Sequence, residues 1–197
     1  MTRREKALKT KDKLYQCTLN LINERGYENV LIEDITKSAG LAKGTYYSHF
    51  KSKERLLFYT YKKSDDFYLK AYDQVKDQTD FFDQLNSFIL LAYADVEQLG
   101  KEVLKALCVN LFSAESKKNF LDPKRGLYQT LSRIIEQGKE TGRLDQGRET
   151  AFYVQKIIVA LLGIESYWSL AGRNLGLPAF AAENVMIMVK GLSDLGR

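Results

Sequence analysis

The stretch KGTYYSHFKSKERLL, residues 43–57, concentrates the side chains that could do chemistry. It contains His49, the single histidine among 197 residues, next to tyrosines and just ahead of lysines and an arginine. Such a histidine could act in catalysis, lie buried in a core, or contact a negatively charged partner. Triad-type catalysis also needs a nucleophile and an orienting acid, and no cluster of metal ligands accompanies this histidine. The sequence therefore predicts that the protein is not an enzyme and that it has no catalytic residue, no metal site and no cofactor.

Contact with phosphates explains the same residues better. Lys43 and Tyr47 are one helical turn apart, so they share a face of a short helix. His49 ends that helix and Lys53 opens the next one, whose free backbone N–H groups also attract anions. Together these groups are suited to grip phosphates along one wall of a groove.

The start of the short helix is suited to reading bases. Gly44 and Thr45 are small enough to let the helix enter a major groove end-on, and Thr45 offers a hydroxyl and a methyl group to base edges. Burial of His49 is the alternative, although Phe50 beside it is the better core candidate. The full predicted DNA-binding set is Lys43, Gly44, Thr45, Tyr46, Tyr47, His49 and Lys53.

The charge distribution supports a polyanionic partner for one end of the chain. Residues 1–63 hold 14 Lys or Arg and 7 Asp or Glu, whereas residues 64–197 hold 16 Lys or Arg and 18 Asp or Glu. A basic end joined to a slightly acidic body is typical of a protein whose N-terminal part meets nucleic acid. A solvated basic tail would give the same count.

Helical periodicity dominates the chain, and no convincing alternating strand pattern occurs. Gly26 and Gly40 mark helix ends, and Ser52 is a suitable N-cap for the helix that follows it. We predict helices over residues 9–25, 32–39, 43–50, 52–76, 80–98, 101–117, 123–141, 147–171 and 179–195. The fold class is therefore all-α: an N-terminal three-helix helix-turn-helix domain, residues 1–52, followed by a C-terminal helical bundle, residues 53–197.

The last two predicted helices are apolar over most of their surface. Val154, Ile157, Val159 and Leu162 point in different directions from one helix, which must then be covered on several sides. Gly163 and Gly191 would let neighbouring backbones approach closely. We expect a homodimer built on these two helices; a central helix enclosed within a monomer is the alternative.

The compartment follows from what the sequence lacks. The opening residues MTRREKALKTKDK have no apolar signal-peptide stretch, and the longest strongly apolar run, residues 157–164, is far shorter than the ~20 residues that span a bilayer. Cys17 and Cys108 lie far apart in the sequence and have no metal-binding spacing. This favours two small buried thiols in a reducing compartment. We expect a cytoplasmic protein with no membrane partner.

The run RGYENVLIEDITKSAGLAKGTYYSHFKSKERLL, residues 25–57, resembles the DNA-binding segment of the tetracycline-repressor (TetR) family. The likeness rests on the Gly-Tyr pair after the first helix, the Ala-Gly-Leu turn, the K-G-T-x-Y-x-H-F helix and the S-K-E-x-L start of the connector. The family implies that Lys43, Gly44 and Thr45 approach base edges, that Tyr47 and His49 reach phosphates, and that Lys53 anchors the backbone. Two departures stand out: Ala42 replaces the usual serine, and Val30-Leu31 replaces the usual Thr or Ser before the second helix.

The resemblance also implies a cavity for a small effector in the C-terminal bundle. Aromatic side chains there could form flat apolar walls with a few hydroxyls, although aromatic residues at helical spacing also occur as plain core. The candidates are Tyr61, Tyr68, Tyr72, Tyr93, Phe112, Tyr128, Tyr153 and Trp168.

The resemblance therefore implies a homodimeric regulator, most often a repressor, that binds a palindromic double-stranded operator and is released by a small apolar or aromatic ligand. The main alternative is a DNA-binding or architectural protein controlled by a protein partner. An enzyme that uses the aromatic pocket and a membrane-surface protein that uses the basic leader fit less well.

Overall fold

The computed structural model describes residues 2–113, 116, 120–171 and 175–194. Within these residues the chain is helical, with no β-strand, which confirms the predicted all-α class. The helices are α1 Arg3–Arg25, α2 Ile32–Ala39, α3 Lys43–His49, α4 Lys53–Val75, α5 Phe81–Glu97, α6 Lys101–Val109, α7 Gly126–Glu140, α8 Thr150–Leu170 and α9 Leu177–Asp194.

Local chemistry accounts for several helix ends. The side chain of Thr2 accepts from the backbone N–H of Glu5 while Glu5 accepts from that of Thr2, so a capping box starts α1 six residues before the predicted start. Gly26 ends α1 at φ 77°, and Gly40 follows α2 in the left-handed conformation at φ 63°. The side chain of Ser52 accepts from the backbone N–H of Arg55, as predicted for the N-cap of α4.

The helix predicted over residues 101–117 ends at Val109 in the described part of the chain, and residues 114, 115 and 117–119 lie outside it. Leu195 of the predicted last helix also lies outside the described residues. Pro123 precedes α7 by three residues instead of starting it, while Pro178 is the second residue of α9.

The chain packs as two compact units. Unit 1 comprises Met1–Tyr61 and Leu99–Phe120, and unit 2 comprises Lys62–Gln98 and Leu121–Arg197. The functional boundary predicted between residues 52 and 53 stays a prediction.

In unit 1, α1 packs against α2 and α6, and α2 packs against α3. The core includes Leu14, Ile22, Ile35, Tyr46 and Leu56, each with no exposed surface. The side-chain amide of Asn23 donates to the carbonyl of Leu99 at 2.8 Å. A Cβ on Gly100 (φ 88°) would lie 2.3 Å from the Asn23 side chain, so this contact between α1 and the start of α6 requires glycine.

In unit 2, α9 packs against α5 and α8, and α7 packs against α5 and α8. Phe81, Phe88, Tyr93, Ile134 and Ile157 lie fully buried among them. A Cβ on Gly138 would come within 2.6 Å of the Phe81 ring, so α5 and α7 meet closely at this glycine. No described helix is both long enough and apolar enough to cross a bilayer.

Candidate nucleic-acid interface

The short helix α3 is held in place by one side and exposes the other. Tyr46 is fully buried, with its ring centroid 6.0 Å from that of Phe50 and 5.6 Å from that of Tyr47. In contrast, Lys43 and Gly44 are exposed and Tyr47 is 47 % exposed. Burial of one tyrosine therefore turns the lysine, the glycine and the neighbouring tyrosine outward.

This placement overturns one predicted contact. Tyr46 was predicted as part of the DNA-binding set, but a side chain with no exposed surface cannot reach a phosphate or a base. The cause is helical geometry: Tyr46 and Tyr47 are neighbours and point about 100° apart. Burial also raises the pKa of the Tyr46 hydroxyl well above its ordinary value. Tyr46 is a core residue that orients α3.

Thr45 and His49 are partly buried, so each keeps some accessible surface. The carbonyl of Thr45 accepts from the hydroxyl of Ser48 at 2.7 Å. Gly44 has open space where a Cβ would stand. The start of α3 is thus sterically free, as end-on entry into a groove requires, and the roles of Gly44, Thr45, Tyr47 and His49 stay predictions.

The first turn of α3 carries no stabilising cap. Ala42 occupies the N-cap and makes no side-chain hydrogen bond, because alanine has no polar side-chain atom. Lys43 then places a positive charge at the positive end of the helix dipole. The compensating charge comes from α2, because the ammonium of Lys43 forms an ion pair with the carboxylate of Glu33. This contact lowers the pKa of Glu33 and raises that of Lys43.

Lys53 has intramolecular partners. Its ammonium donates to the carbonyl oxygens of Tyr27 at 2.7 Å and Val30 at 2.9 Å, and it lies 4.1 Å from the centre of the Tyr27 ring. Burial lowers the pKa of Lys53, and burial with Glu54 and Glu28 nearby raises that of Tyr27 to about 12. The lysine ties the start of α4 to the loop between α1 and α2, so its predicted phosphate contact must coexist with these bonds.

Sequence reasoning missed the contacts that cross between helices. Glu33 and Lys43 are ten residues apart, a separation that matches no helical spacing. Similarly, the ammonium of Lys11 lies 4.0 Å from the centre of the Tyr59 ring and 5.1 Å from that of the Phe50 ring. Only the folded arrangement of α1, α2, α3 and α4 reveals these pairs.

The predicted ligand-binding set is divided between the two units. Tyr61 and Phe112 belong to unit 1, and Phe112 is 93 % exposed, so its prediction as an apolar wall is wrong in this structure. Tyr61 stacks on Phe58 with ring centroids 5.8 Å apart. The other six, Tyr68, Tyr72, Tyr93, Tyr128, Tyr153 and Trp168, lie in unit 2.

Two polar pairs lie among these unit 2 aromatics. The hydroxyl of Tyr93 donates to Glu165 at 2.7 Å, and burial raises the pKa of both groups. The guanidinium of Arg125 contacts Asp65 at 3.1 Å, yet burial still raises the pKa of that carboxyl. The fully buried hydroxyl of Tyr153 has no hydrogen-bond partner among the described residues.

Unit 1 also contains a groove of about 550 Å³ between the end of α1 and α6. It is lined by residues 23–29, 102, 105, 106, 109 and 110, in which glutamates, Arg25 and Lys105 mix charges. Among the described residues, no group of three or more His, Cys, Asp or Glu side chains could hold a metal ion, and Cys17 and Cys108 form no disulfide there.

Residues 14–60 match the model of the bacterial regulatory proteins of the tetR family. These residues are similar to the helix-turn-helix domain of the TetR family. The match contains the predicted segment and the α3 surface described above, so the predicted resemblance is confirmed.

Curated relatives match part of the chain. An HTH-type transcriptional regulator of Staphylococcus aureus strain bovine RF122 is 31 % identical over 74 residues, which are 38 % of this chain and 40 % of the relative. The chain thus spans less than half the length of the curated relatives it matches. They are regulators and not enzymes by name.

Solved structures extend the likeness to most of the chain. The fatty acid degradation regulator FadR from Bacillus halodurans superposes with a TM-score of 0.77 at 22 % identity, covering 93 % of this chain and 96 % of FadR. FadR from Bacillus subtilis, solved in complex with stearoyl-CoA, gives 0.75 at 20 % identity and covers 91 % and 97 %. At these identities the comparison establishes the fold, a TetR-type domain followed by a helical bundle.

Proposed function

We propose that this protein is a homodimeric TetR-like transcriptional repressor that binds a palindromic operator and is released by a small apolar ligand. The observation that carries the proposal is the surface of α3, where Lys43, Gly44 and Tyr47 face outward from a helix anchored by the buried Tyr46. It lies inside the segment that matches the tetR family.

The reading mechanism follows from this surface. The start of α3 enters a major groove, where Lys43 and Thr45 meet base edges while Tyr47 and His49 contact phosphates on the groove wall. A two-fold dimer places two such helices in successive major grooves, about 34–36 Å apart. The operator is then a palindrome whose half-sites are one helical turn apart.

Exposed apolar residues support dimerisation through α8 and α9. Val159, Tyr167 and Leu170 are 63, 60 and 81 % exposed and follow one face of α8, and Ile187 on α9 is 66 % exposed. The other face of α8 is buried, so the all-round apolar pattern divides between the core of unit 2 and an uncovered surface. Gly163 and Gly191 have open space where a Cβ would stand, which leaves room for a partner helix.

Substitutions on this face test the dimer. Val159→Glu combined with Ile187→Glu should give a monomer in sedimentation equilibrium while leaving the helical circular dichroism intact. Leu69→Glu is the matched control, since Leu69 is a 40 % exposed apolar residue on α4. A wild-type monomer at micromolar concentration, or a double variant that stays dimeric, would contradict this interface.

The ligand proposal rests on unit 2. Its interior combines buried aromatic side chains with the Tyr93–Glu165 and Arg125–Asp65 pairs, the mixture of apolar walls and few polar groups that small-molecule sites use. A fold neighbour holds stearoyl-CoA, which makes acyl-CoA the first ligand to test. The protein has one conformation that fits the operator and another that does not. For release, the ligand must have the higher affinity for the conformation that does not fit.

The DNA-binding experiment begins with duplexes selected from a randomised pool by the wild-type protein. Fluorescence anisotropy should show tight binding of the selected duplex that weakens steeply between ~50 and ~200 mM salt. Lys43→Gln should lower the preference for the selected over a scrambled duplex. Lys105→Gln, which removes the same charge from α6 in unit 1, should preserve it. Failure to enrich any duplex would refute the proposal.

Ligand control is tested on the same complex. Stearoyl-CoA should release the selected duplex at concentrations where free coenzyme A does not. If neither it nor shorter acyl-CoA compounds release the duplex, the alternative of control by a protein partner gains support. That alternative is favoured by Val109 and Phe112, which are 68 and 93 % exposed at and just after the end of α6.

A further inference from the structure

We infer that Glu33 is a specificity-determining residue, which holds Lys43 away from phosphates until a suitable base edge replaces its carboxylate. This inference rests on the proposed DNA-binding function and assigns a residue outside the predicted contact set. The observation is the ion pair between the two side chains, which links the first turn of α2 to the first turn of α3.

The pair is on the surface that would face DNA. The side chains of Lys43 and Glu33 are 54 and 62 % exposed, and Lys43 is the first residue of the proposed reading helix. Each partner shifts the pKa of the other in the direction that keeps both charged. The ammonium of Lys43 is therefore paired with a carboxylate of its own protein before any DNA arrives.

The neighbouring carboxylate has a different task. Asp34 accepts a hydrogen bond from the backbone N–H of Leu31 at 3.0 Å and lies 3.9 Å from Arg25, so it supplies the acidic half of a capping box at the start of α2, where Leu31 has no side-chain oxygen to supply the other half. Glu33 instead extends to α3, where its negative charge offsets the positive charge at the uncapped, lysine-bearing start of that helix.

This arrangement acts differently on random and on matched DNA. Binding to random DNA is driven by lysine–phosphate contacts that release counterions. A lysine that keeps its glutamate adds little there, and the carboxylate itself repels phosphates. On matched DNA, hydrogen bonds to a base edge such as guanine O6 and N7 give the ammonium a directed replacement for the glutamate. Non-specific binding is thus suppressed more than operator binding.

The test compares Glu33→Gln with the wild type on two duplexes, an operator selected from a randomised pool and a scrambled duplex of the same length and composition. Freeing Lys43 should steepen the slope of log K against log salt on the scrambled duplex by about 0.9 per subunit. For a dimer, the gain in scrambled-duplex affinity is then about tenfold larger at ~50 mM than at ~200 mM salt. Operator affinity should rise less, so the specificity ratio falls.

Two further variants separate this pair from general charge effects. Glu24→Gln makes the same change in net charge at an exposed site of unit 1 that has no ion pair among the described residues, and it should leave the slope unchanged. In a Lys43→Gln background, Glu33→Gln should act no more strongly than Glu24→Gln. Thermal melting confirms that each variant is folded.

Equal effects of Glu33→Gln on both duplexes, or effects no larger than those of Glu24→Gln, would overturn the inference while leaving DNA binding intact. If the wild type selects no operator and shows no salt-dependent binding, the proposed function fails first. The two failures are thus distinguishable in one set of titrations.

Discussion

Lys53→Met replaces a charged clamp by an apolar side chain of similar length. The ammonium of Lys53 holds the carbonyls of Tyr27 and Val30 at 2.7 and 2.9 Å, in the loop that leads into α2. Leaving a buried acceptor without its donor costs about 1–3 kcal/mol. Because Lys53 is only partly buried and water can replace part of these bonds, we expect a loss of about 1–2 kcal/mol.

The assay has two parts. Thermal unfolding should show a midpoint lowered by about 2–8 °C, given about 2–4 °C per kcal/mol for a chain of this size. Operator binding, measured well below the new midpoint, should keep its salt slope, because the ammonium already serves the protein's own carbonyls. Lys62→Met, an exposed lysine on the same helix, is the control for loss of one charge.

The opposite pattern would refute this reasoning. If Lys53→Met leaves stability unchanged but removes about 0.9 per subunit from the salt slope, Lys53 is a phosphate anchor as the family resemblance implies. A loss in both quantities would mean that one ammonium group bridges the loop and the DNA backbone.

Two other predictions follow from groups in the cores of the units. Tyr46→Phe removes a buried hydroxyl that has no partner among the described residues, so urea unfolding should show unchanged or slightly raised stability, with operator affinity unchanged; lower affinity at equal stability would return Tyr46 to the DNA-contacting set. Glu165→Gln keeps an acceptor for the hydroxyl of Tyr93 but removes a carboxyl whose pKa is raised by burial. Because the raised folded pKa contributes stability below the ordinary carboxyl range that is lost as pH rises, the variant should gain stability over the wild type at neutral pH and lose that gain in acid. A difference that does not change with pH would contradict the buried carboxylate.

Helix positions were accessible from the sequence because their signals are local. The apolar period and Gly40 gave α2 as residues 32–39, and the structure has Ile32–Ala39. The first helix starts earlier than its apolar stripe indicates, since the capping box of Thr2 and Glu5 extends it through charged residues. Local signals thus place most helices, and capping chemistry determines their ends.

Only part of the candidate DNA-binding surface could be predicted from the sequence, because only part of it depends on local signals. The type and spacing of residues 43–49 predict an outward helix face, but they do not say which of two adjacent tyrosines is buried; that depends on the core formed with Ile22, Ile35 and Leu56. The partner of Lys43 is 10 residues away in the sequence, and the partners of Lys53 are 23 and 26 residues away. Tyr93 and Glu165, which pair with each other, are 72 residues apart. No periodicity reports such pairs, because they exist only after the helices have packed.

The same contacts explain how so short a helix can be stable enough to act as the proposed reading surface. A helix of seven residues without an N-cap and with a lysine at its start would not be stable alone, because nucleation is costly and the dipole is uncompensated. Its stability comes from the buried side, through Tyr46, and from the neighbouring helix, through Glu33. Exposed positions such as Gly44 and Tyr47 contribute little to that stability, so substitutions there should change which DNA is bound while the fold is retained. In the proposed mechanism Glu33 has two roles: its ion pair with Lys43 supports the start of α3, and it sets the electrostatic condition under which Lys43 would bind DNA.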